Sequence, residues 1–83
     1  MNYLYSVYER AKQSHDNHAV DGYKFNDVSV TVTVYSSDDN TCKTYLSIDD
    51  DVVAEFCENT LEVYTDKVHE RKAIMQFANW YFS

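Results

Sequence analysis

The sequence predicts an α+β domain. It has an N-terminal helix, an antiparallel β-hairpin of two or three strands, and two C-terminal helices packed on one face of the sheet. Three observations predict this. Residues 2–15 carry apolar side chains at helical spacing. Residues 28–35 alternate valine with polar side chains. From Asp49 onward, apolar residues recur at three- and four-residue steps with no proline to interrupt them.

The N-terminal helix rests on Leu4, Val7, Tyr8 and Ala11, which share one face, with Asn2 placed to cap it. Ser14 to His18 ends it, and Asp21-Gly22 reads as a turn. Val28, Val30, Val32 and Val34 then alternate with Ser29, Thr31, Thr33 and Tyr35, so one strand face is all valine and buried. Tyr23 to Phe25 extends that strand or forms a short one before it. Ser36 to Asn40 has hairpin-loop composition. Residues 41–48 return with Cys42, Thr44, Leu46 and Ile48 on one face.

Beyond this point the phase is helical. Val53, Phe56, Cys57, Thr60, Leu61 and Tyr64 cluster at about 100° per residue, and Val68, Ile74, Met75, Phe77, Ala78 and Phe82 continue on the same side. A single helix over residues 50–82 would be about 48 Å long, too long for a domain of this size. Lys67 and Arg71 also fall on its apolar side. The expectation is therefore two helices, 50–63 and 66–82, broken near Tyr64–Asp66. Ile74 to Ser83 is apolar nearly all round, which suits a core element or a homodimer contact.

Eighty-three residues make one domain, spanning 1–83, with one core. Gly22 is the only glycine and there is no proline, so tight turns must be built from Asn, Asp and Ser. No apolar stretch reaches the roughly 18 residues of a membrane span, and no signal pattern opens the chain. These features point to the cytoplasm, with Cys42 and Cys57 reduced and packed on buried faces.

The charge is unevenly placed. Between Asp38 and Asp66 stand nine carboxylates and one lysine, net −8, against +1 for the rest of the chain. That balance disfavours nucleic acid and anionic membrane as direct partners and favours a basic protein. On the expected helix Asp51, Glu55, Glu58, Glu62 and Asp66 form one stripe with acidic rather than basic i+3 and i+4 neighbours. Such pairs cost about 0.2–0.5 kcal/mol each.

Other chemistries find less support. His15, Asp16, His18 and Asp21 lack the organised three or four ligands of a zinc site. Asp38-Asp39-Asn40 and Asp49-Asp50-Asp51 lack the alternation, central glycine and closing glutamate of an EF-hand loop. No nucleophile–base arrangement stands out. Neither a metal nor a cofactor is expected, and the chain reads as non-enzymatic.

In size, in helix–hairpin–helix order, and in acidic residues at the hairpin tip (Asp38, Asp39) and from Asp49 to Asp66, the chain resembles the small acidic inhibitors that bacteriophages encode. These include anti-CRISPR proteins and other nucleic-acid mimics. Nuclease-immunity proteins use similar electrostatics. The resemblance implies an inhibitor in a host-cell cytoplasm whose carboxylates replace phosphates in the basic groove of a nuclease or other nucleic-acid-handling protein. The expected binding residues are Asp38, Asp39, Tyr45, Asp49, Asp50, Asp51, Glu55, Glu58, Glu62 and Asp66. The alternative is a structural or oligomerisation module that binds through Phe77, Trp80, Tyr81 and Phe82.

Overall fold

The computed structural model describes residues 5–37, 42–57 and 60–81. Helix α1 (Tyr5–Gln13) is followed by five strands: β1 (His18–Phe25), β2 (Val28–Ser36), β3 (Cys42–Ile48), β4 (Asp51–Cys57) and β5 (Thr60–Val63). Helix α2 (Val68–Tyr81) closes the order. The strands form one antiparallel sheet in sequence order, β1-β2-β3-β4-β5.

This corrects the expected architecture. The sheet has five strands rather than two or three, and one C-terminal helix follows it rather than two. Residues 51–57 and 60–63, expected in a helix over 50–63, are strands β4 and β5. Asp21-Gly22 is no turn either. Both residues pair with β2, opposite Val32 and Thr31. The surviving helix begins at Val68, close to the expected break.

A β-bulge explains why β4 looks helical. The β3–β4 register shifts between Leu46 and Ser47, so Ala54 faces Leu46 while Val52 faces Ser47. Val53 is the extra residue, and Val53 and Ala54 are both buried. That double inward step breaks the two-residue alternation and leaves Val53, Phe56 and Leu61 at spacings that mimic a helix face. The composition still favours a strand, because Val52, Val53, Phe56, Thr60 and Val63 are β-branched or aromatic.

Both helices cover the same sheet face. Val7 and Ala11 of α1, and Ala73, Ile74, Phe77 and Ala78 of α2, are buried against Val30, Val32, Val34, Leu46, Ile48, Val53, Ala54 and Phe56. Tyr8 links the layers, its hydroxyl lying 2.6 Å from that of Tyr81 and 3.5 Å from Thr44 Oγ1. No helix among the described residues is long and apolar enough to cross a membrane.

The turns use the residues that the scarcity of glycine demands. Asn26-Asp27 joins β1 to β2 with φ of 51° and 60°, and Asp49-Asp50 joins β3 to β4 with φ of 52° and 69°. Positive φ at both positions marks the two-residue turn that matches strand twist, whose second position favours glycine. Asp tolerates the left-handed region at a cost that glycine avoids. Asp27→Gly is therefore expected to raise stability by about 0.5–1 kcal/mol, read as a higher urea midpoint at unchanged slope.

Candidate acidic rim and open sheet face

The meander brings both of these turns to the same end of the sheet. Their centres are two strand spacings apart, about 10 Å. Asp27, Asp49 and Asp50 are exposed there, and Asp51 is exposed at the start of β4. Asp66, also exposed, joins them from the segment before α2. Asp51 and Asp66 line one shallow concavity of about 330 Å³, with Tyr64, Thr65, Lys67 and Glu70. The result is a rim of five carboxylates on a rigid sheet end. The β1–β2 turn is tied to α2, because Asn26 N–H donates to Gln76 Oε1 at 2.7 Å and Asn26 Nδ2 donates to the His69 carbonyl at 3.5 Å.

The expected single stripe is thus divided. Asp49, Asp50, Asp51 and Asp66 belong to the rim, whereas Glu55, Glu62 and Tyr45 lie on the sheet face that no helix covers. Asp38, Asp39 and Glu58 lie outside the described residues. Asp27 escaped the sequence reading because it stands eleven residues before Asp38, the first carboxylate of the acidic segment, and only the meander brings it in.

The carboxylates on the open face have partners that a helix would have denied them. Glu55 and Glu62 are directly opposed across β4 and β5. Like charges in that register repel, but Tyr64 hydroxyl lies 2.9 Å from Glu55 Oε2 and 2.7 Å from Glu62 Oε2. Lys43 Nζ stands 3.6 Å from Glu55 Oε1. The i+4 repulsion expected of a helix does not arise. Tyr64, expected in the core, is exposed.

Beside them runs an aromatic rank. His18 stacks on Tyr35 at 5.7 Å, and Tyr35 meets Tyr45 edge-on at 5.6 Å. Thr33, Tyr35, Tyr45, Ser47 and Val52 line an open concavity of about 440 Å³. Cys57 belongs to this face, since it pairs with Lys43, rather than to the buried face expected of it. Cys42 pairs with Ser36 on the helix-covered side, and both thiols are free.

Three tyrosines are held protonated beyond the ordinary range near pH 10. Burial does this to Tyr8, and burial followed by the Asp21 carboxylate does it to Tyr23. For Tyr64 the cause is its hydrogen bond to Glu62, then that to Glu55, in a setting where water screens the effect. An unfolded tyrosine ionises near pH 10, before its folded counterpart. The linked stability is therefore complete below about pH 10 and is lost as pH rises through the folded-state values. Tyrosinate absorbance and circular dichroism should change together above about pH 10, and Tyr8→Phe should soften the transition. Ionisation of all eight tyrosines with the sheet intact would contradict this.

No family model, curated protein or solved structure matches the chain.

Proposed function

We propose that this chain is a non-enzymatic acidic binding protein. Its rim (Asp27, Asp49, Asp50, Asp51 and Asp66) docks into the basic groove of a nucleic-acid-handling protein and keeps nucleic acid out. The observation that carries the reading is the Asp49-Asp50-Asp51 run at a two-residue turn. Three consecutive carboxylates stand on a backbone fixed by the β-ladder, with Asp27 about 10 Å away. A rigid anionic edge loses little entropy on docking and suits an array of Lys and Arg. Neighbouring charges lie within the ~8 Å screening length, so their fields add and steer association. Glu55, Glu62 and Tyr45 flank the rim on the open face.

The alternative module with an aromatic C-terminal surface gains less support. Phe77 is buried, and Trp80 and Tyr81 pack on Phe56, Phe77, Tyr23 and Phe25 within the chain's own core.

Neutralising the rim tests the proposal. Asp49→Asn, Asp50→Asn and Asp51→Asn together keep residues that tolerate positive φ while removing three charges. Affinity capture on the wild-type chain is expected to recover a basic nucleic-acid-handling protein at low salt. High salt, added duplex DNA or the triple variant should each release it. Capture that survives the triple variant would refute the rim as the binding surface.

A further inference from the structure

The concavity beside the acidic rim holds a carboxylate that the rim alone does not account for. Glu70 lines it from α2, although the residue is only 6% exposed. Thr65 Oγ1 donates to Glu70 Oε1 at 2.6 Å. Oε2 receives no hydrogen bond from any described residue. Its nearest cation is Lys67 Nζ, 4.0 Å away and beyond hydrogen-bond reach, on a side chain that is 70% exposed. Every fully enclosed side-chain nitrogen or oxygen among the described residues has a partner, so Oε2 is where this carboxylate opens into the concavity. A largely buried charged acceptor that is short of a donor gains most from a charged one.

The rest of the lining selects that donor. Asp51 and Asp66 contribute exposed side chains, so three carboxylates surround the concavity against the single Lys67. That field repels anions and attracts cations. A bare metal ion is a poor fit, because no group of three or more His, Cys, Asp or Glu among the described residues converges closely enough to hold one. Val52, Val53 and Tyr64 add apolar and aromatic wall, with Val52 and Tyr64 about half exposed (48% and 53%). Such a wall suits a cation carried on an aliphatic stem, and a tyrosine ring suits a planar one.

We infer that the concavity takes one arginine side chain of the partner, whose guanidinium donates to Glu70 Oε2 and to the carboxylates of Asp51 and Asp66. This rests on the rim-docking reading and names the group that the rim receives. A carboxylate rim by itself attracts any basic surface, whereas a part-buried acceptor selects one residue at one position. Guanidinium presents five donors in a planar fork, so a single group serves acceptors on different sides. The ammonium of lysine is compact and more strongly hydrated, so it is costlier to strip of water. Lys67 is then the chain's own rival for Glu70, and the arginine displaces it.

A nitrogen–proton NMR titration of the full chain with Nα-acetyl-arginine amide tests the site apart from any partner protein. The backbone signals of Asp51, Glu70 and residues 64–67 should shift together, with a dissociation constant in the millimolar range. Glu70→Gln keeps an acceptor for Thr65 and removes the charge, and it should weaken binding about tenfold or more. Asp66→Asn, on an exposed side chain, should weaken it several-fold. Lys67→Met removes the rival cation and should strengthen it by up to about fivefold. Nα-acetyl-lysine amide, of equal charge, should bind several-fold more weakly.

Binding that survives both Glu70→Gln and Asp66→Asn, or equal binding of the lysine and arginine probes, would overturn the inference. The two readings fail separately. No titration at these residues, with capture of the basic partner still released by the triple Asp→Asn variant, would refute the arginine site and leave rim docking standing. A titration here with capture indifferent to the triple variant would refute rim docking and leave the arginine site standing.

Discussion

Phe77→Ala is expected to cost about 3–5 kcal/mol and to lower the urea midpoint steeply. Phe77 is fully buried and is the hub of the aromatic core. It meets Phe25 edge-on at 5.7 Å, lies 5.0 Å from Phe56 and 5.7 Å from Trp80, and stacks on Tyr81 at 5.8 Å. Those contacts join α2 to the first and fourth strands of the sheet. Large rings cannot collapse far into the space that a missing ring leaves, so the cavity cost adds to the transfer cost. A domain of this length has on the order of 4–12 kcal/mol in total, so the loss approaches the whole at the lower end of that range. Urea titration by circular dichroism measures it. Met75→Ala, on an exposed position of the same helix, should change stability by less than about 0.5 kcal/mol. Equal effects from the two substitutions would contradict this account of the core.

Thr65→Val is expected to cost about 1–3 kcal/mol despite its near-identical shape. Glu70 is a buried carboxylate, 6% exposed, on the first turn of α2. Thr65 Oγ1 donates to Glu70 Oε1 at 2.6 Å and accepts from Lys67 N–H at 3.2 Å. The valine variant strips both bonds and leaves Lys67 Nζ, at 4.0 Å, as the nearest cation to the acid. A buried acceptor deprived of its donor incurs its desolvation cost, and a charged one incurs more. The arrangement also anchors the start of α2, whose first helical bond runs from Arg71 N–H to the Lys67 carbonyl at 2.9 Å. A double-mutant cycle with Glu70→Met isolates the pair, because the bond from Lys67 N–H to Thr65 Oγ1 is lost in both arms and cancels. Additive losses would mean that the two side chains do not act together.

The parts legible in the sequence were those whose pattern admits one reading. Valines at 28, 30, 32 and 34 leave no helical interpretation, and the burial of Val30, Val32 and Val34 follows from the alternation, with Val28 half-buried at the strand's start. The helix from Val68 was legible as a helix and its inward face in part: Ile74, Phe77 and Ala78 are buried as expected, whereas Val68 and Met75, expected on the same side, are exposed, and Phe82 lies outside the described residues. Glycine scarcity correctly shifted the turns onto Asn and Asp. Gly22 misled because a lone glycine beside aspartate is ordinarily a turn signal, yet here it lies within a strand.

The candidate site was legible as chemistry but not as geometry. The acidic segment stands out in any reading of the charges, and its described carboxylates divide into the rim and the open face. Asp27 and the Tyr64 hydroxyl between Glu55 and Glu62 were not visible as parts of it. Their places depend on pairings between strands that the local sequence does not specify.

The sequence alone determined an acidic chain, its first helix, its valine strand, its last helix and the residue types at its turns. Each of these follows from local spacing or composition. Only the tertiary structure decided that residues 51–57 and 60–63 are strands. Short apolar runs fit either period, and the bulge at Val53 erased the alternation that would have separated them. The sheet edge offered by β3 settled the choice through hydrogen bonds that a sequence does not display. The same pairing turned one expected acidic stripe into a rim at the sheet's end and a glutamate pair on its open face.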